Sequence, residues 1–393
     1  MAWTRLLIVA PFVACTTSTV DDSADSVASQ KAAALSSKEQ LGQVLFDDKN
    51  LSEPKGEACS SCHDPKKAFA GDAKSKIDGV SAGAVKNVVG TRNAPTAMYA
   101  MYIPPFHFED DGTPVGGQFW DGRADSLAEQ AKMPFVNPRE MNNASAAQVV
   151  AKVRAAKYAD QVRAVYGAAA LDDDTAAFDH IADAISAFEQ SATFRPFNSD
   201  FDAYLRGEKA LTAQQQRGFA LFQDPDKGNC ISCHVGDPSS HEPSDWLFTD
   251  HTYDTLGVPR NTAIPDNMDP SYFDLGLCQA PDIATKVPDG VTVASLCGAF
   301  KVPTLRNVAI TGPYFHNGRF DELRDVVKFY VTRDTNPELW YPAGQKFDDL
   351  TPEAQANVNQ VEVPYDRLPG EAPHLTDAEI DDVVAFLGSL TDK

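Results

Sequence analysis

The clearest periodic segment lies at the end of the chain. Thr376-x-x-Glu379 is a capping-box pattern, and Ile380, Val383, Val384, Phe386, Leu387 and Leu390 then recur at helical spacing. A terminal amphipathic helix is therefore predicted within 376–390. Two shorter amphipathic stretches resemble one another, Glu39-Gln40-Leu41-Gly42-Gln43-Val44-Leu45-Phe46 and Gln215-Gln216-Arg217-Gly218-Phe219-Ala220-Leu221-Phe222. They form a weak internal repeat, and each predicts a short helix. Long strand-like alternation is absent, and 26 prolines with 24 glycines predict short helices joined by long ordered loops. Near the start, the apolar run from Leu6 to Ala14 follows a single arginine. It has the size of a signal-peptide core and falls short of the roughly 18–20 residues of a membrane-spanning helix.

Export organises the beginning of the chain. Phe12-Val13-Ala14-Cys15 resembles a bacterial lipobox, with Phe12 where leucine is usual. That likeness implies a lipid anchor on Cys15; plain secretory cleavage is the alternative. The expected layout is a signal peptide at 1–14, a flexible Ser/Thr/Ala/Asp-rich tether at 15–38, and two domains at 39–205 and 206–393. The expected location is the periplasm, with the anchor tying the protein to a membrane. Thirty-four basic residues against 56 acidic ones give a net charge of −22, which excludes a general nucleic-acid binder.

Seven cysteines divide among three purposes. Cys15 belongs to the export signal. Cys278 and Cys297 are left over, and in an oxidising compartment they suggest a disulfide contributing roughly 3 kcal/mol; two buried thiols are the alternative. The remaining four sit in Cys59-Ser60-Ser61-Cys62-His63 and Cys230-Ile231-Ser232-Cys233-His234, both C-x-x-C-H. Two thiols at this spacing reach the two vinyl groups on one porphyrin edge, and the following imidazole reaches the iron. Two covalently bound c-type haems are expected, one in each of two all-α cytochrome c-like domains, with His63 and His234 as iron ligands.

The opposite face of each iron needs a second ligand or stays open. Beyond Met141 only Met268 remains, so methionine ligation in the second domain would rest on that residue. Met98, Met101, Met133 and Met141 are all available to the first domain, and nothing local selects among them.

Longer motifs carry a family resemblance. Phe119-Trp120-Asp121-Gly122-Arg123, Gln130, Pro134 and Asn137-Pro138-Arg139-Glu140-Met141 resemble the bacterial dihaem cytochrome c peroxidase and MauG superfamily. So do Lys301 through Ala309 and Gly312 through Gly318. The resemblance implies that Trp120 relays electrons between the haems. It implies that Gln130 and Glu140, with Pro134 of the same motif, form the catalytic pocket for hydrogen peroxide on the first haem. It also implies a calcium ion between the domains, held through Asn93, Thr311 and Pro313.

One position divides that superfamily. The segment Leu323 to Tyr330 aligns with the one ending in an axial methionine in the peroxidases, and here it ends in Tyr330, as in MauG. A phenolate donor lowers the haem potential and favours high-valent iron. Tyr330 is therefore expected to ligate the second haem; a buried tyrosine bonded to backbone is the alternative. Further likeness to the MauG-like branch typified by MbnH rests on Phe106 to Gly112, Asp274 to Cys278 with Cys297, and Phe329 to Thr335. It implies a bis-ferryl state and long-range oxidation of a tryptophan or tyrosine on a partner protein, including Trp to kynurenine on an MbnP-like copper-binding protein. The other enzymatic reading is a periplasmic cytochrome c peroxidase fed by a small cytochrome or cupredoxin. His107 lies in an insertion and lines the first pocket or a surface. Trp246 and Trp340 are relay candidates near a surface, with core packing as the plain alternative.

Overall fold

A computed structural model describes residues 34–71 and 79–393. The signal peptide, Cys15 and nearly all of the tether lie outside these residues. Nine helices of six or more residues occur among them: α1 Ser37–Phe46, α2 Leu127–Val136, α3 Ala146–Arg154, α4 Ala159–Tyr166, α5 Asp174–Glu189, α6 Asp200–Leu205, α7 Ala213–Gln223, α8 Leu323–Thr332 and α9 Asp377–Gly388. Helix α1 begins at Ser37, within the expected tether, because Ser36 accepts from the Glu39 N–H and Glu39 bonds back to close a capping box. The predicted box at Thr376 and Glu379 starts α9 in the same way. Among the described residues, strands are confined to two-residue antiparallel pairs, His107–Phe108 with Pro114–Val115 and Tyr253–Asp254 with Phe300–Lys301. No helix among the described residues is long and apolar enough to cross a membrane.

The internal repeat has a packing cause. Helix α1 crosses α5, and α7 crosses α9. Gly42 and Gly218 occupy the same place in the two repeats. A Cβ on Gly42 would stand 1.9 Å from the Ala184 carbonyl oxygen, and one on Gly218 would stand 1.9 Å from that of Asp382. Backbone therefore meets backbone at both crossings, and no side chain larger than hydrogen fits. Phe46 and Phe222, four residues on, are buried at 1% exposure each. Two apolar cores result, one built mainly from residues 41–194 and the other from residues 201–390. The Cys278–Cys297 disulfide is formed and lies beside a smaller cluster around Leu277 and Leu296.

A fully buried ion pair ties the second core together. Arg306 donates to both Asp202 carboxylate oxygens at 2.9 and 3.1 Å, and to the carbonyls of Trp246 and Pro243 at 2.9 and 2.7 Å. Removing one partner leaves an uncompensated buried charge, a cost of about 3–5 kcal/mol. Arg306→Met is expected to lose that much in denaturant unfolding. Pairing it with Asp202→Leu should restore a large part.

Candidate functional site

Helix α1 leads into the first Cys-x-x-Cys-His turn, in which Cys59–Cys62 form a single helical turn. His63 follows, its backbone N–H donating to the Cys59 carbonyl at 2.9 Å. Its Nδ1 lies 3.0 Å from the carbonyl oxygen of Phe69. A carbonyl can only accept, so Nδ1 carries the ring proton and Nε2 keeps its lone pair. Burial holds the ring below its ordinary pKa, which keeps it neutral. The second motif repeats the arrangement: the His234 N–H donates to Cys230 at 2.9 Å, Nδ1 meets the Phe248 carbonyl at 3.0 Å, and burial again lowers the pKa.

Each motif lines a cavity. Cys230, Cys233, His234 and Tyr330 line one of about 1460 Å³ including its open mouth. Cys59, Cys62, His63, Gln130, Pro134 and Glu140 line another, of about 1840 Å³ on the same measure. The chemistry of both donor sets fits a c-type haem. Each combines a thiol pair with a neutral imidazole whose second nitrogen is already oriented, the arrangement by which outer partners fix a metal-ligating histidine. Trp120 lines both cavities.

Tyr330 sits on α8 in the C-terminal cavity, against Phe315 at 5.8 Å and Tyr365 at 6.0 Å between ring centroids. Its hydroxyl has no hydrogen-bond partner among the described residues, so the alternative of a backbone-bonded tyrosine does not describe it. Burial, with Asp254 adding to it, pushes the phenol pKa up. Tyr330 is half-buried on the cavity wall, and a cation in the cavity would take its hydroxyl as phenolate. Met268 is 76% exposed and lines neither cavity, which removes the methionine candidate for this half.

In the N-terminal cavity, Gln130 and Pro134 come from α2 and Glu140 from the turn that follows. Proline inside the helix has no N–H to offer the Gln130 carbonyl, the acceptor four residues back. Burial raises the Glu140 pKa, partly offset by Arg123 and by a hydrogen bond from Asn137. Of the methionine candidates for this half, Met141 lines the cavity, and Met98 accepts a bond from Asn307 at 3.4 Å.

The turn carrying Trp120 is clamped from several sides. Arg92 donates to Asp121 at 2.7 Å and to both Asp274 oxygens at 2.6 and 2.7 Å. Arg123 donates to Asp121 at 2.8 Å and lies 3.5 Å over the Phe119 ring. Gly122 has a φ of 66°, and a Cβ there would meet the Tyr253 hydroxyl at 2.2 Å. The indole N–H of Trp120 donates to the Asn93 carbonyl at 2.9 Å, and the Lys301 N–H donates to the Trp120 carbonyl at 2.9 Å.

Asn93 and Pro313 are brought together, with the Asn93 amide nitrogen 2.6 Å from the Pro313 carbonyl oxygen. Thr311 lies two residues before Pro313, its hydroxyl directed to the Val308 carbonyl at 3.3 Å. No group of three or more His, Cys, Asp or Glu able to hold a metal exists among the described residues. A cation here would rest on the Asn93 amide oxygen and backbone carbonyls, a set suited to a hard ion. His107 is exposed, with its ring nitrogens 2.9 Å from the Pro105 carbonyl and 3.2 Å from Glu109; it lines neither cavity. Trp246 is 3% exposed and packs in the second core, while Trp340 is partly exposed.

A family model described as di-haem cytochrome c peroxidase matches residues 36–210. The chain is 36% identical over 364 residues to the methylamine utilization protein MauG of Paracoccus denitrificans, covering 90% of this chain and 88% of that protein. The chain belongs to the dihaem cytochrome c peroxidase and MauG family. It is an oxidoreductase, and membership implies two haems. Among solved structures, the diheme peroxidase BthA from Burkholderia thailandensis aligns with a TM-score of 0.85 at 43% identity, covering 90% of this chain and 86% of that one. A MauG-like protein associated with microbial copper homeostasis aligns at 0.63 and 28%, covering 92% and 91%.

Two groups of this dihaem family member escaped the sequence reading. Glu189 is buried on the wall of the N-terminal cavity, its Oε2 without a partner and its pKa raised to about 8 by burial. Its one signal is position: it stands four residues after Ile185, on the apolar face of α5. Lys301 is buried beneath the Trp120 turn, its ammonium on the Gly117 carbonyl and its pKa lowered to about 7 by burial. Nothing in the motif around it marks it as buried.

Proposed function

We propose that the protein is a hydrogen-peroxide-dependent dihaem oxidase that draws electrons over a distance from a side chain of a partner protein. The observation that carries this reading is Tyr330, a half-buried tyrosine that shares the wall of one cavity with His234 and the Cys230–Cys233 pair and whose hydroxyl has no hydrogen-bond partner among the described residues. We infer that His63 and His234 hold one haem each, that Tyr330 is the second ligand on the His234 side, and that Asn93, Thr311 and Pro313 hold a calcium ion. Bound in these cavities, the haems supply the redox centres that take two electrons per peroxide, yielding two waters.

The chain's own groups do the rest. Glu140 takes a proton from the near peroxide oxygen and returns it to the leaving one, a general acid–base role. Gln130, on the same wall, orients the peroxide through its amide. Trp120 stands in both cavity walls and passes electrons from one half to the other. Its N–H is committed to the Asn93 carbonyl, which is not a base, so the indole keeps its proton when it gives up an electron.

The partner is an exported protein carrying an accessible tryptophan or tyrosine. Likeness to the MauG-like protein associated with copper homeostasis supports a partner with a copper connection. The finer reading, tryptophan-to-kynurenine oxidation on an MbnP-like substrate in the periplasm, rests on the sequence resemblance of Phe106 to Gly112, Asp274 to Cys278 and Phe329 to Thr335. Greater likeness to a diheme peroxidase favours a second reading, peroxide reduction with electrons from a small cytochrome or cupredoxin.

Peroxide added to the fully oxidised holoprotein separates the two. Prompt visible, near-infrared and spin-resonance changes involving both haems, without pre-reduction, are expected of the oxidase. Reaction only after one haem has been reduced would assign the conventional peroxidase and remove the partner-oxidation reading.

A further inference from the structure

We propose that Trp340 is the port through which electrons enter the C-terminal half from outside the protein, an inference that rests on the oxidase reading above. Three tryptophans lie among the described residues. Trp120 faces the internal cavities, and Trp246 is sealed in the second core with its N–H on the Ser240 carbonyl. Trp340 alone of the three combines partial exposure with a place outside both cavity walls. It follows Leu339, a leucine left 53% exposed.

From Trp340 an unbroken aromatic contact path runs inward. Its ring meets Phe329 edge-on at 5.7 Å, and Phe329 meets Tyr330 at 6.3 Å. A parallel path runs through Phe320 at 5.5 Å and Phe315 at 5.5 Å to Tyr330 at 5.8 Å. Phenylalanine is too hard to oxidise to hold a charge, so these rings serve as packed medium between two oxidisable residues. Tyr365 also touches Tyr330, but the Arg333 guanidinium lies 4.3 Å over its ring. A cation on the ring face opposes removal of an electron from that ring. No cation lies over the Trp340 ring among the described residues.

The indole is also held in a reversible form. Its N–H donates to the Thr332 hydroxyl at 3.0 Å, and that hydroxyl donates to the Lys328 carbonyl at 2.6 Å. Neither acceptor is a base, so an oxidised Trp340 retains its proton and stays a strong acceptor. Each event moves one electron inward: the external donor loses it, Trp340 gives one up and regains it, and the Tyr330 side gains it. Two events match the reduction of one peroxide to two waters, and no bond of Trp340 changes while a donor is present. Without a donor, the indole itself loses two electrons and two protons and keeps the oxygen of one water.

The test uses the two-haem holoprotein and peroxide with no donor, followed by peptide mass mapping. One added oxygen atom is expected on Trp340, several-fold above Trp246, and it should disappear in Glu140→Gln. Trp340→Phe should lengthen the lifetime of the peroxide-oxidised state several-fold, and should slow its discharge by reduced cytochrome c, a basic protein suited to a chain of net charge −22. Trp340→Tyr should recover part of both rates, and unchanged resting haem spectra in the two variants establish that they fold. The inference is overturned if the oxidised state forms but Trp340 is labelled no more than Trp246, if labelling survives Glu140→Gln, or if Trp340→Phe discharges at the wild-type rate. Absence of any peroxide-induced spectral change in the wild type overturns the oxidase reading itself.

Discussion

Replacing Glu140 with glutamine is expected to slow peroxide consumption by about 10²–10⁴-fold, the range of a single positioned acid–base group. Glutamine keeps the shape and one acceptor oxygen but cannot shuttle a proton. The loss should therefore appear in the peroxide step, with both resting haem spectra unchanged. A pH profile adds a signature. Burial raises the Glu140 pKa, and the group acts first as a base, so the wild-type rate should fall as pH drops through that raised value. The fall should begin at higher pH than for a solvent-exposed glutamate, and the variant should lack it. A carrier protein without peroxide chemistry would be indifferent to the change, so equal rates in the two proteins would remove Glu140 from the mechanism.

Tyr330→Met is expected to raise the potential of the C-terminal haem by a substantial fraction of the ~0.8 V range that axial ligands span. Thioether sulfur is neutral and soft, whereas phenolate oxygen is anionic and stabilises the more oxidised metal. The variant should therefore lose the reaction of fully oxidised protein with peroxide and gain a requirement for pre-reduction. Redox titration followed by optical spectra measures both. An unchanged potential and spectrum would show that Tyr330 does not reach the iron and would take the central support from the oxidase reading.

Much of the architecture is legible in the chain because its signals are local. The capping box at Thr376 and Glu379 specifies where α9 begins, and the Gly42 and Gly218 repeats foreshadow two matching helix crossings. The Cys-x-x-Cys-His pairs are equally local, since thiols and imidazole must lie within five residues of one another. What escaped is long-range. Glu189 owes its isolation to α1 and α2 packing against α5, and Lys301 is buried by the turn around Trp120, well over a hundred residues earlier. His107 could not be assigned to pocket or surface from its neighbours, because its exposure depends on where a two-residue hairpin lies. Arg306 reads as one letter of a motif, and only the fold reveals that it neutralises Asp202 in the interior.

Trp120 and its clamped turn form a wall common to two chambers. A change there is felt on both sides at once, so this seam is closed to independent tinkering: improving one chamber through it disturbs the other. New specificity in such a scaffold has to be written on the outer walls, where a single position such as 330 can be exchanged while the shared partition stays as it is. The two halves share a repeated helix and haem-type motif, and the partition is what ties a change in one to the other.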